Sequence, residues 1–216
     1  MINFARKLVE YQIVSIKPNE VKLESIKSPV YCDIKALQSD SELRNIVVSS
    51  LVEKIKNYEV MPEGIAGVIS GIVPFSSLVA DRLNLPHYSV GESQKKFYGI
   101  EEIIDGRVKS GENILLLDDL MITGKKSANA IKLLRSKGAN VEKILCVINY
   151  DTNAANDTLK QIGCEIDYLT TIERIIFEHL ATHQPAKKAM QQLKVFVKKY
   201  IPHGDKLTDF LSRFKF

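Results

Sequence analysis

Two adjacent carboxylates, Asp118 and Asp119, follow an unbroken apolar run in ILLLDDLMITGKKSANAIKLL, residues 114–134, and hydroxyls, a glycine and two lysines come close behind. The pattern predicts a buried strand ending in the two acids, a loop from Leu120 to Lys126, and a helix opening near Ser127. Such a junction suits a phosphorylated ligand. Backbone N–H groups at a helix N-terminus bind phosphate. Thr123 and Ser127 can add hydroxyl donors, Gly124 lets the backbone approach closely, and Lys125 and Lys126 bring positive charge. The paired acids suit a ligand that needs acceptors, such as sugar hydroxyls or a Mg²⁺ carried by that ligand. Two acids alone would more simply be a helix cap or a solvated loop. The apolar run before them and the Thr-Gly with hydroxyls after them favour the ligand site. A Walker A loop is excluded, because Asp119 stands where its first glycine belongs, and no GxGxxG is present.

These residues must be positioned by a chain of 216 residues. That length gives one sizeable domain, or one domain with a small appendage. With 45% hydrophobic and 26% charged residues the composition is ordinary globular, which argues against disorder, collagen-like or coiled-coil character. No apolar run reaches the roughly 18–20 residues needed to span a bilayer. The opening MINFARKLVEYQIV lacks the apolar core and cleavage site of a signal peptide, so the cytoplasm is the expected compartment. Cys32, Cys146 and Cys164 are odd in number and widely spaced, which suits neither a disulfide framework nor a zinc site. Net charge is +4, but the segment from Pro185 onward carries +6 and the rest −2. A solvated helix face explains that basic tail better than contact with nucleic acid or an acidic partner. Its Leu193, Phe196, Val197 and Tyr200 stripe reads as packing against the domain rather than as a membrane helix.

Along the chain, Asn3–Val14 reads as a helix broken by Pro18 and Asn19. KLESIKSPVYCDIKAL reads as strand, turn and strand, and Ser41–Tyr58 as a helix capped by Ser39, Asp40 or Ser41. After Pro62 strands and helices alternate: GIAGVIS, SSLVADRLN, HYSV, a polar loop over 91–110, NILLLDD, the helix Ser127–Lys137 with Gly138 at its end, KILCVINY, NAANDTLKQIG, EIDYLT, and a helix near 171–183. Uninterrupted apolar strands alternating with helices predict a parallel sheet covered on both faces, with ligands at the carboxyl ends of the strands. His179 and His183 are four apart on a helix but have no third ligand, so they read as ordinary helix-face histidines, and neither His87 nor His203 is given a role.

Segment 114–134 resembles the phosphoribosyl-pyrophosphate (PRPP) motif of type I phosphoribosyltransferases: apolar residues, two acids, then a Thr/Ser/Gly-rich phosphate loop. The resemblance extends over residues 1–184 and, inside that group, points to the orotate phosphoribosyltransferase family. IKSPVYCDIKAL (26–37) is similar to that family's N-terminal substrate segment. GVISGIVPFSSLVADRLNLP (67–86) resembles its pyrophosphate loop and following helix. VINYD (147–151) and YLTTIERIIFEHL (168–180) resemble its last strand and closing helix. The implied fold is α/β, a central mostly parallel sheet with helices on both faces plus a small N-terminal hood. The hood is expected at about 1–40, the core at about 60–184, and a basic helical extension at 185–216.

The resemblance also implies the reaction, displacement of pyrophosphate from C1 of PRPP by orotate, and a set of roles. Asp118 and Asp119 would hold the ribose hydroxyls. Ile122, Thr123, Gly124, Lys125 and Lys126, with Ser127, would cradle the 5′-phosphate. Ser70 and Gly71 would donate backbone N–H groups to pyrophosphate. Mg²⁺ is the implied cofactor, held mainly through PRPP, with Asp118 and Asp119 the only protein candidates. Aligning the family's mobile lid on Gly99 puts Lys96 at the catalytic lysine, with Lys95 an added cation. The lid implies a homodimer, since it reaches the neighbouring site. Lys27, Tyr31, Cys32 and Tyr150 are the candidates on the orotate side; the two tyrosines could stack on a flat base or equally serve the core.

The lid departs from the family pattern at Glu92, Gln94 and Tyr98, where Arg, Lys and His are usual. Glutamate for arginine places negative charge near a polyanion. Two alternatives follow: a PRPP-binding regulatory protein with a degraded lid, and a transferase for a different base.

Overall fold

The computed structural model describes residues 3–69, 71–91, 104–202 and 205–213. Its centre is a six-stranded sheet of order β5-β4-β3-β6-β7-β8. The strands are β3 (Gly64–Val68), β4 (His87–Val90), β5 (Ile104–Asp105), β6 (Ile114–Met121), β7 (Lys143–Asn149) and β8 (Glu165–Thr171). All neighbours run parallel except the edge pair β4 and β5. Each face buries its own apolar core, because successive residues of a strand point to opposite sides. Leu115 and Leu117 of β6 join Phe75 and Val79 of α3 (Val73–Leu83) and Leu51 and Ile55 of α2 (Ser41–Lys56) on one face. Leu116 joins Ile131 and Leu134 of α4 (Lys125–Ser136) and Leu159 of α5 (Asn153–Gln161) on the other. The apolar strand signals are thus explained by two-sided burial. Asp40 caps α2, its side chain accepting from the N–H groups of Glu42 and Leu43 at 2.9 and 3.0 Å.

A separate antiparallel hairpin, β1 (Val14–Leu23) and β2 (Ile26–Cys32), stands beside the sheet. Helix α7 (Lys187–Tyr200) packs on both of its strands, burying Met190, Leu193, Phe196 and Val197. The tail's apolar stripe is therefore packing, and its lysines line the other side. Among the described residues no helix is long and apolar enough to cross a membrane.

Four expectations about elements are corrected. The first helix, α1 (Phe4–Glu10), stops well before Val14. Gln12 takes the left-handed conformation at φ 57, its N–H bonding Val9 O while that of Ile13 bonds Leu8 O. This is a Schellman ending without the glycine that usually marks it. Pro18 and Asn19 do not break a helix but lie within β1, where the register shifts between Ile16 and Val21. The irregularity faces Pro29, which has no N–H to offer a ladder, and the Val30 N–H bonds the Ser28 hydroxyl instead at 3.1 Å. The polar loop over 91–110 contains the short edge strand β5. Strand β6 continues past its acids to Met121, and α4 begins at Lys125, two residues before Ser127.

On α6 (Ile172–Thr182), His179 is 8% exposed, and its Nδ1 has no hydrogen-bond partner among the described residues. Burial, helped by the His183 ring 4.6 Å away, pulls its pKa from 6.5 down to about 4. The unfolded chain would take up that proton near pH 6.5, the folded one only near 4. Stability is therefore present at neutral pH and lost as pH falls through this window. We expect His179→Leu to remove up to about 3 kcal/mol of acid destabilisation between pH 7 and 4, read from urea melts at both pH values.

Candidate active site

The carboxyl ends of β3, β6 and β7 converge on one end of the sheet. After β6 the chain turns through Ile122 and Thr123 to Gly124, which has φ 72 and opens α4 without any side-chain cap. A Cβ at Gly124 would sit 3.4 Å from Ala155 O, so α5 confines the turn as closely as the positive φ does. The first-turn N–H groups of α4 lack intrahelical acceptors and point toward the loop, as an anion site requires. Thr152 supports the loop from below: its hydroxyl donates to Ile122 O at 2.6 Å and accepts from Ala155 N at the start of α5. Replacing Thr152 by Val removes both bonds. We expect a loss of about 1–2 kcal/mol in stability, measured by scanning calorimetry.

The two acids differ in environment. Asp118 is 7% exposed, and the Ser127 hydroxyl donates to it at 2.5 Å. Burial, and then the neighbouring charge of Asp119, push its carboxyl well above the usual carboxylate range. Asp119 is half-buried and leans over Gly71 in the loop after β3. A Cβ on Gly71 would lie 1.9 Å from Asp119 Oδ2. A side chain at position 71 would push this carboxylate aside. Gln38, from the 3-10 turn Ile34–Gln38, holds the same loop through Nε2 to Gly71 O at 3.2 Å, and Arg44 in turn donates to Gln38 O at 2.7 Å.

Asp118, Asp119, Gly71, Ile122, Thr123, Gly124 and Ser127 thus gather at one end of the sheet. Thr123 is buried and its hydroxyl donates to Glu24 at the hairpin tip. Lys125 and Lys126 are exposed on the first turn of α4. The Ser127 hydroxyl, in the first turn of α4, is bonded to Asp118. On the hairpin, Lys27 is exposed and Tyr31 half-buried. Cys32 and Tyr150 are core residues instead of ligand-facing ones. Tyr150 is fully buried, edge-on to Phe196 at 6.4 Å, and burial pushes the Cys32 thiol up to about 12. Neither offers a surface on which a base could stack. Ser70, Lys95 and Lys96 lie outside the described residues, as do Glu92, Gln94 and Tyr98. Sequence reasoning missed Glu24, Gln38 and Thr152. Only Thr152 gave a local signal, as a capping residue directly after a strand.

The architecture is that of type I phosphoribosyltransferases. An orotate phosphoribosyltransferase structure from Aeropyrum pernix superposes with TM-score 0.71 at 24% identity, covering 84% of this chain and 99% of the other. The structure of Leishmania donovani UMP synthase gives TM-score 0.76 at 21% identity, covering 91% of this chain, which spans 42% of that longer one. No protein-family model matches. Among curated proteins, orotate phosphoribosyltransferase of Listeria monocytogenes serotype 4b is 30% identical over 196 residues, 90% of this chain and 93% of the relative. That of Bacteroides thetaiotaomicron is 31% identical over 181 residues, 83% of this chain and 85% of the relative. The chain belongs to the orotate phosphoribosyltransferase family.

Proposed function

We propose that the protein transfers the phosphoribosyl group of PRPP to orotate, giving orotidine 5′-monophosphate and pyrophosphate, a step of pyrimidine nucleotide synthesis. The observation that carries this reading is the meeting of Asp119, the Gly71 loop and the uncapped start of α4 at one end of the sheet, in a member of this family. In the reaction the orotate N1 forms the bond to C1 as the C1–O bond to pyrophosphate breaks, and the N1 proton leaves with the departing pyrophosphate. Positive charge develops on the ribose ring meanwhile. The loop Ile122–Gly124 and the first-turn amides of α4 anchor the 5′-phosphate. Asp119 accepts from a ribose hydroxyl and places a negative charge beside the developing cation, with Asp118 buried behind it. The amides around Ser70 and Gly71, with Lys96 and Lys95 from the lid, hold the departing pyrophosphate. Catalysis here is positioning and electrostatics.

Mg²⁺ fits this site as an ion carried by its substrate. Among the described residues no group of three or more His, Cys, Asp or Glu could hold a metal, and Mg²⁺ commonly takes one or two carboxylates plus substrate phosphates. Asp119 is the carboxylate that would hold it, and when bound the ion would neutralise charge on the leaving group. The reading includes a homodimer in which each lid serves the neighbouring site, and a cytoplasmic location. Sedimentation would test the dimer.

The base is tested by incubating the protein with PRPP, Mg²⁺ and, in turn, orotate, uracil, adenine and hypoxanthine, and identifying the nucleotide by chromatography. Product from orotate alone is expected. A purine nucleotide would reassign the base.

A further inference from the structure

Glu24 is the outlying member of the site. It lies 99 residues from Thr123 in sequence, yet its carboxylate accepts the Thr123 hydroxyl. The contact is produced by the hairpin. Leu23 and Ile26 are paired across the end of β1 and β2, so Glu24 and Ser25 alone make the turn. Glu24 sits there at φ 53, a left-handed conformation that costs a non-glycine residue about 1 kcal/mol or more. Lys22 and Lys27 face one another on the adjoining rungs, both exposed, so Glu24 had cations nearer at hand in the chain. Its carboxylate nevertheless reaches the loop that precedes the uncapped start of α4. A carboxylate and a phosphoryl group are both anionic acceptors, and both suit a threonine hydroxyl at a helix N-terminus.

We propose that Glu24 sets the affinity of this site for phosphate by competing with it: the carboxylate holds the Thr123 hydroxyl, and a 5′-phosphate must displace it. The inference rests on the reading of Ile122–Gly124 as the 5′-phosphate loop. Two like charges cannot share one donor without mutual repulsion, so binding the phosphate and holding Glu24 exclude each other. The apparent affinity is then reduced by the fraction of molecules in which Glu24 is engaged. Displacement also frees the hairpin tip, which links occupancy of the phosphate loop to motion of the segment that carries Lys27 and Tyr31.

The test uses ribose 5-phosphate, which has the 5′-phosphate but no pyrophosphate to lose, so that transfer chemistry plays no part. Its binding is measured by calorimetry at fixed ionic strength for the unaltered protein, Glu24→Gln and Glu24→Ala. Glu24→Ala should bind about five- to tenfold more tightly, and Glu24→Gln, which keeps the acceptor and loses the charge, by an intermediate factor. In the unaltered protein, amide hydrogen exchange over residues 23–26 should speed up when ribose 5-phosphate is added. Equal or weaker binding by both variants would overturn the competition while leaving the phosphate loop in place. Absence of binding by all three proteins would overturn the phosphate-loop reading and the inference with it.

Discussion

Asp119→Asn is expected to lower kcat/KM for PRPP by about a hundred- to a thousandfold with little change in melting temperature. The carboxylate is half-buried at the end of the sheet, and its one described backbone bond, from Leu120 N at 2.9 Å, can be kept by an amide oxygen. Folding therefore loses little. The reaction as proposed loses the carboxylate that would accept from the ribose hydroxyls and hold Mg²⁺. Asp118→Asn should cost much less, about tenfold. Burial already favours the neutral form of Asp118, and asparagine can accept the Ser127 hydroxyl in its place. Steady-state kinetics on both variants would check this order. Equal losses would mean that both acids act as charges.

Gly71→Ala is expected to lower turnover by about a hundredfold, although it adds a single methyl group. That carbon would lie 1.9 Å from Asp119 Oδ2, so either the carboxylate or the loop after β3 must move by an ångström or more. Misplacement on that scale costs about two orders of magnitude in rate when catalysis is mostly positioning. The loop is also held from behind by Gln38, which leaves the carboxylate as the group that yields. The two substitutions therefore act on one arrangement. Gly71→Ala added to Asp119→Asn should fall only slightly below Asp119→Asn alone, whereas independent effects would multiply.

What could be read from the sequence was whatever is encoded locally. The apolar strand before Asp118, the glycine after Thr123 and the alternation of strand and helix are short-range patterns, and each marks an element of the site. The spacing of Leu193, Phe196 and Val197 showed an apolar face on α7, but not that the hairpin would cover it. The helix ending at Gln12 was hidden because a glutamine does the work of a glycine there. Pro18 read as a helix breaker because the bulge that accommodates it is defined by Pro29 on the other strand. Tyr150 read as a possible stacking residue because an aromatic at a strand's carboxyl end is ambiguous until the helix packed against it is known. Glu24 on Thr123, Gln38 on Gly71 and Thr152 on Ile122 all join distant segments, and no periodicity announces a bond made by tertiary folding.

The most direct test of orotate transfer is its turnover with PRPP and Mg²⁺, followed by the loss of orotate's ultraviolet absorbance, with Lys96→Ala alongside. The account predicts steady loss of absorbance with the unaltered protein and its near disappearance with Lys96→Ala. No loss of absorbance, in a protein that calorimetry shows to bind PRPP, would contradict it.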